Sequence, residues 1–354
     1  MTNFITGAEV KEFDFIKRIT GRKTITRNDI IKGIGDDAAI VKGKPGRCYL
    51  FTCDAQVEGK HFLKGREPYS LGCRLAAVNL SDIAAMGGTP LFALSSLFIP
   101  SSYYDGDFME RVYDGLYETL ARWNAVVVGG NVSSSNDSLA MDLFLVGDVE
   151  EELVLKRSGA RTGQLLCVSG NVGDSGAGLK LLLNDSIAKK VKDKNETFFD
   201  LLLKRHLEPQ PEIEMGRLLA KSRAVGACID ISDGLIQDAG HLGESSDVFL
   251  NIYIDKIPLS DEFINVADCF GEDYMHIPLT AGEDYKLLFT IDRERFADIE
   301  KAASDLPGCK ITVIGEVVSI KNGGEQKNRV AIYNSSGNQV ELNSGGFDHF
   351  ESIK

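Results

Sequence analysis

Apolar and polar positions follow two different periods along the chain. Residues 48–53 form a short, mostly apolar run that ends at Asp54 and predicts a strand. Over 69–86, Leu71, Leu75, Val78 and Leu80 recur at helical spacing, and Gly87-Gly88 supplies the stop. A strand at 92–98, a helix at 108–123, a strand at 125–128 running into Gly129-Gly130, and an alternating strand at 139–149 complete a first set. A second set follows. The strand 165–169 feeds a glycine-rich loop and a helix, and the strand 227–231 feeds Ser232-Asp233-Gly234 and another helix. Strands at 248–254, 285–291 and 310–317, with a helix at 293–303, close it.

Strands that alternate with helices in two successive sets predict an α/β (α+β) chain. Its 354 residues suit two domains, 1–150 and 151–354, with the crossing near Lys156-Arg157-Ser158-Gly159-Ala160. One stretch, 83–104, has no charge and the length of a membrane span. Gly87-Gly88, Pro90 and Pro100 break it into helix end, strand and turn, so no membrane partner is expected.

Composition narrows the function classes. Hydrophobic residues make up 43% and charged residues 26%, an ordinary globular balance. The net charge of −13 argues against nucleic acid as a partner, because phosphate contacts need a basic face. None of the seven cysteines is spaced Cys-x-x-Cys, and the first residues hold Glu9, Lys11, Glu12 and Asp14 in place of an apolar leader. Reduced thiols and a cytoplasmic location are expected.

The candidate chemistry lies in acids at strand exits and helix starts: Asp36-Asp37, Asp54, Asp82, Asp230 and Asp233. Carboxylates so placed can converge on one crevice and hold Mg²⁺, which also takes oxygens from phosphates. Taken singly, most have a structural reading: a turn at Asp36 or Asp37, a strand end at Asp54, a helix N-cap at Asp233. Asp82 is different, because it sits within an apolar helix and needs a cation or donors there. The segment Gly33-Ile34-Gly35-Asp36-Asp37-Ala38 imitates a dinucleotide fingerprint. It opens no helix, and its two carboxylates would repel a pyrophosphate. The loop 170–178 lies between strand and helix, which suits either a phosphate cradle or a tight packed turn. No P-loop and no protein-kinase signature occurs.

Taken in order, these segments resemble the thiamine-monophosphate kinase family. That family is grouped with aminoimidazole-ribonucleotide synthetase, selenophosphate synthetase and the hydrogenase-maturation dehydratase. The resemblance starts at Glu12-Phe13-Asp14-Phe15-Ile16 and runs through Gly33 to Ala39, Val57 to Phe62 and Ala77 to Gly87. It continues with Arg157 to Ala160, Arg205-His206-Leu207, Ile229 to Leu235 and Gly282-Glu283-Asp284-Tyr285, and ends at Gly346 to Phe350.

The resemblance implies a two-domain fold with a mixed sheet and flanking helices in each domain. The N-terminal sheet would complete a β-barrel across a homodimer. It implies phosphoryl transfer from ATP to thiamine monophosphate, with several Mg²⁺ ions held by Asp37, Thr52, Cys53, Asp54, Asp82, Asn131, Asp230 and Asp233. Among these, Asp37, Asp54, Asp82 and Asp233 are the candidate catalytic residues. Gly130, Asn131, Arg157 and Ser232 correspond to positions that touch ATP. His61, Glu283 and Phe347 correspond to positions that line the thiamine monophosphate pocket.

Four departures stand out. Asn131 replaces an acid, Cys53 replaces a threonine, and Ala281 and Lys286 stand where glycine and an acid are usual. The alternatives are another ATP-using member of the superfamily or a binding relative without turnover. No cysteine precedes Cys48, where the selenium enzyme needs one, and the chain ends Glu351-Ser352-Ile353-Lys354 without the cysteine tail of the hydrogenase-maturation protein.

Overall fold

The computed structural model describes residues 27–104, 106–320 and 329–340, so Phe347 and the segment Glu12 to Ile16 lie outside the described residues. The first sheet is built from β1 (Ile30–Lys32), β2 (Ala39–Lys42), β3 (Arg47–Val57), β4 (Thr89–Pro100), β5 (Val126–Ser135) and β6 (Ala140–Glu150). Its order is β1-β2-β3-β6-β4-β5, and β4 with β5 is its parallel pair. The second sheet holds β7 (Leu165–Val168), β8 (Val225–Asp230), β9 (Phe249–Tyr253), β10 (Leu287–Ile291), β11 (Thr312–Val318) and β12 (Val330–Tyr333), in the order β12-β9-β11-β7-β10-β8. There β12 with β9 is parallel and the other pairs are antiparallel. Both sheets are mixed, as expected.

The helix α1 (Pro68–Ala85) is the hub. Glu67 caps it by accepting from the Ser70 amide at 2.8 Å, and Pro68 opens the first turn. Gly87, at φ +70°, follows the last turn, and the Gly87 and Gly88 amides return to the Ala84 and Ile83 carbonyls. The helix is buried almost all round because it packs against β3, β6, β8 and two helices, α2 (Phe108–Ala121) and α6 (Ile213–Ser222). Gly72 makes the α2 contact possible: a Cβ there would lie 1.8 Å from the Val112 carbonyl oxygen. One apolar cluster therefore runs from Leu50 and Leu80 through Leu219 to Phe289, joining the two sheets.

The remaining helices flank the second sheet: α3 (Asp174–Leu183), α4 (Asp185–Lys194), α5 (Glu196–Leu207), α7 (Leu235–Ser246), α8 (Asp261–Val266), α9 (His276–Thr280) and α10 (Phe296–Ser304). Among the described residues no helix is long and apolar enough to cross a membrane.

Three boundaries differ from the sequence reading. β3 does not end at Asp54 but runs on to Val57, because all 11 of its residues pair with β6. Gly129-Gly130 does not end β5. The strand continues past a bulge opposite Ala93 and Leu94, and Gly130 lets it pass Ser95, whose carbonyl oxygen would be 1.9 Å from a Cβ. β10 starts at Leu287 and not at Tyr285, because Glu283 and Tyr285 adopt left-handed φ values of +67° and +49°.

Candidate active site

Strand alternation turns Thr52, Asp54 and Gln56 to one side of β3, the side on which Cys48 and Leu50 enter the core. Above them α1 presents Ser81 and Asp82. From the other half, β8 delivers Asp230 at its last residue, and the turn Ile231 to Gly234 follows. These elements enclose a crevice of about 320 Å³. Its walls include Asp37, Thr52, Cys53, Asp54, His61, Asp82, Arg157, Asp230, Ser232, Asp233 and Glu283, which is most of the sequence-predicted set.

The acid end is tightly built. Asp37, Asp82 and Asp230 each place a carboxylate oxygen within 4.8 Å of the other two. Thr52 Oγ1 donates to Asp82 Oδ2, and Ser81 Oγ donates to Asp230 Oδ2 at 2.5 Å. Arg157 donates to Asp37 Oδ1 from Nη2 at 2.7 Å and from Nε at 3.2 Å. The second Asp37 oxygen is buried and has no hydrogen-bond partner. Burial first, then Asp54, Asp230 and Asp37, push the Asp82 carboxyl well above the usual carboxylate range. Burial and then Asp37 push Asp230 up to about 8. Three crowded carboxylates and a buried oxygen without a partner fit a hard divalent cation, since charge on that scale is costly to bury unbalanced.

Beside this cluster, Asp238 on α7 fixes the turn that presents Ser232 and Asp233. Its Oδ2 accepts from the amides of Ser232, Asp233 and Gly234, each at 3.1 Å. The N-cap of α7 is Gly234, so Asp233 does not take the N-cap role. Asp233 accepts from Gln237 Nε2 at 3.1 Å and groups with Asp238 and His241 in a second set of close oxygen and nitrogen atoms.

His61 and Glu283 also line the crevice. The His61 Nδ1 accepts from the Val57 amide at 3.0 Å, which fixes the ring. Glu283 pairs with Arg74 of α1, a guanidinium only 2% exposed. Burial raises the Glu283 carboxyl, but the Arg74 guanidinium outweighs it and leaves the group below its ordinary value.

Three predicted residues sit differently. The Cys53 thiol turns to the far face of β3, where it donates to Asp142 Oδ1 at 3.2 Å. Burial and then Asp142 push it up to about 12, so its side chain is a poor metal ligand. Gly130 and Asn131 lie exposed on β5, opposite Ser95 and Ser96, and are not part of the crevice wall.

The phosphate-cradle reading of 170–178 is corrected by Asp284. Its two carboxylate oxygens accept from the Gly173 amide at 2.7 Å and the Ser175 amide at 3.1 Å, filling the start of α3 with an internal anion. A second cleft of about 380 Å³ beside this loop has its charges largely matched, Arg205 with Asp174 and Lys286 with Glu212.

Sequence reasoning passed over Arg74, Asp238 and Asp284. Arg74 carried a legible signal, the same one that singled out Asp82: a charge inside an apolar helix. Asp238 and Asp284 carried none, since an acid on a helix or in a loop is ordinary.

Residues 35–149 match the profile of the AIR synthase related protein, N-terminal domain. Over nearly the whole chain there are closer likenesses. The thiamine-monophosphate kinase of Aquifex aeolicus is 37% identical over 316 residues, covering 88% of this chain and 97% of that one. The thiamine-monophosphate kinase of Escherichia coli K12 is 34% identical over 339 residues, covering 96% and 98%. A solved structure described as AaThiL complexed with AMPPCP and TMP superposes with a TM-score of 0.80 at 34% identity, covering 98% of this chain and all of that one.

Proposed function

The chain belongs to the thiamine-monophosphate kinase family, and from that premise we infer that its crevice transfers the terminal phosphoryl group of ATP to thiamine monophosphate, giving thiamine diphosphate. The observation that carries this reading is the convergence of the acids from both halves of the chain on one crevice that His61 and Glu283 also line. The relative of known structure was solved with AMPPCP and TMP together, a nucleotide analogue beside the acceptor.

The acceptor phosphate oxygen is already ionised at neutral pH, so direct in-line transfer needs no strong general base. What it needs is positioning and charge balance. Asp37, Asp82 and Asp230, with Asp54, Asp233, Thr52 and the Cys53 backbone, are the set that would hold magnesium. Asn131, which lies on exposed β5 outside the crevice wall, would join this set only across a contact with a second copy. Magnesium bound there would supply the positive charge that screens the two phosphate-bearing substrates from each other.

Arg157 and Ser232 face the nucleotide in this reading; Gly130 and Asn131, outside the crevice wall, would reach it only across the same contact between copies. Asp37 holds the Arg157 guanidinium in one orientation, and Asp238 holds the backbone of Ser232 and Asp233. His61 and Glu283 face thiamine monophosphate, and Phe347 belongs to the same subsite.

A homodimer is part of this proposal. The outer face of the first sheet carries Phe51, Val146, Phe92 and Val126 in register across four strands, and Phe92 and Val126 are 47% and 50% exposed. β5 also leaves one edge unpaired among the described residues. An apolar face and an open edge together suit closure against a second copy. The division into 1–150 and 151–354 and a cytoplasmic location belong to the same reading, the latter supported by seven free cysteines.

The test is formation of thiamine diphosphate from thiamine monophosphate and ATP with magnesium, read by chromatography. Product that appears with magnesium and is lost on chelation supports the reading. A protein that binds ATP and never yields thiamine diphosphate overturns it.

A further inference from the structure

Arg74 touches neither the acid cluster nor the open crevice, yet it is bound to the wall on both sides. Its Nε donates to Gln56 Oε1 at 3.2 Å, its Nη1 donates to the His206 carbonyl at 2.5 Å, and its Nη2 donates to Glu283 Oε1. Gln56 belongs to β3 of the first sheet and Glu283 to the segment before β10 of the second, and both line the crevice. One buried guanidinium thus ties together two wall residues from the two halves of the chain.

The segment that presents Glu283 is clamped. Its backbone is left-handed at Glu283 and again at Tyr285, a conformation unfavourable for a non-glycine residue. The Glu283 amide donates to Ser232 O at 2.8 Å and the Tyr285 amide to Ile231 O at 2.9 Å. Between them Asp284 turns the other way and binds the Gly173 and Ser175 amides. Glu283 is thereby held in the crevice wall with its carboxylate on Arg74. Its other near polar neighbour, His206 Nδ1 at 3.7 Å, is shared with Ser175 Oγ at 3.0 Å. Burial, then Arg74, hold that imidazole down to about 4, so it is neutral near pH 7 and leaves Arg74 as the cation facing Glu283.

We propose that Arg74 is a positioning residue for substrate selection: it holds the Glu283 carboxylate in fixed orientation, so that the site favours an acceptor with a cationic ring. The proposal rests on the reading of Glu283 as part of the thiamine monophosphate subsite. A fixed carboxylate meets the thiazolium of that substrate without reorganisation, whereas a neutral or mobile one does not. ATP has no ring cation and gains nothing from the pair, so the effect is confined to one substrate.

The experiment is steady-state kinetics on Arg74→Lys, Arg74→Met, Glu283→Gln and the double variant Arg74→Met/Glu283→Gln. The expected result is a KM for thiamine monophosphate raised about tenfold or more in Arg74→Met, less in Arg74→Lys, with KM for ATP within about twofold of wild type. The double variant should lose no more than Glu283→Gln alone, because Arg74 acts through that carboxylate. It also removes the unpaired buried charge that Arg74→Met creates, so it remains the readout if the single variant fails to fold. An unchanged KM for thiamine monophosphate in folded Arg74 variants, an equal rise for both substrates, or additive losses in the double variant would overturn the proposal. A wild-type protein that forms no thiamine diphosphate would instead overturn the function itself, and the two failures are read from different proteins.

Discussion

Ser81 Oγ donates to Asp230 Oδ2 at 2.5 Å, joining the middle of α1 to the end of β8 across 149 positions of sequence. This contact sets Asp82, the next residue, beside Asp230. The acid cluster is therefore a product of how α1 docks on the second sheet as much as of either segment.

The cluster carries a conflict between stability and chemistry. With magnesium removed, Asp37, Asp82 and Asp230 repel one another. Asp82→Asn relieves part of that repulsion and keeps an oxygen for Thr52. The variant should melt higher than wild type in chelator, and magnesium should raise its melting temperature less. Its kcat should fall by about 10²-fold or more, the loss of an electrostatic interaction with the transferred group. Calorimetry and turnover on the same preparations check both halves. Retained kcat at ordinary magnesium would remove Asp82 from the ligand set.

Asn131 stands on exposed β5, at a position where the family resemblance implies an acid. An amide oxygen can ligate magnesium but brings no charge, which weakens one ion by about tenfold or more. Asn131→Asp should lower the magnesium concentration at half-maximal rate. An unchanged magnesium titration would reject a ligand role for this position and leave Asn131 a strand residue only.

Phe92 sits in the exposed apolar row on the outer face of the first sheet, opposite Val146 and Val126. A charge there should not disturb the core, which lies on the other face. Phe92→Glu should shift a dimer to monomer in sedimentation equilibrium and, in the same step, reduce activity. A variant that stays dimeric would place the contact between copies elsewhere.

His206 gives a pH dependence with a definite sign. Its folded pKa of about 4 lies below the ordinary value of 6.5, through burial first and Arg74 second. Between these values the unfolded chain binds a proton that the folded chain does not. Stability from this site is present above pH 6.5 and is lost as pH falls toward 4, in total on the order of 3 kcal/mol. Urea midpoints measured from pH 7 to pH 5 should fall more steeply for wild type than for His206→Asn. Parallel curves would show that the imidazole charges freely in the folded protein.

The local pieces and their kind are legible in the chain alone. Helical spacing from Leu71 to Leu80 and the stop at Gly87-Gly88 foretell α1 to within a residue or two, because period and turn chemistry are local properties. Asp82 was legible as a site residue because a charge in an apolar helix demands a partner nearby. Strand ends were less legible. Gly129-Gly130 reads as a break and is a strand interior, since what decides it is the close passage of Ser95 on β4.

Which polar groups meet is set by how the elements pack. The pairing of Ser81 with Asp230 and of Arg74 with Glu283 depends on α1 lodging between the two sheets, which apolar area drives without regard to the polar residues it carries along. The start of α3 shows the same limit. Its loop has the sequence of an anion cradle, and whether the anion is a phosphate or Asp284 is settled by a carboxylate 111 positions away that reaches the Gly173 amide first.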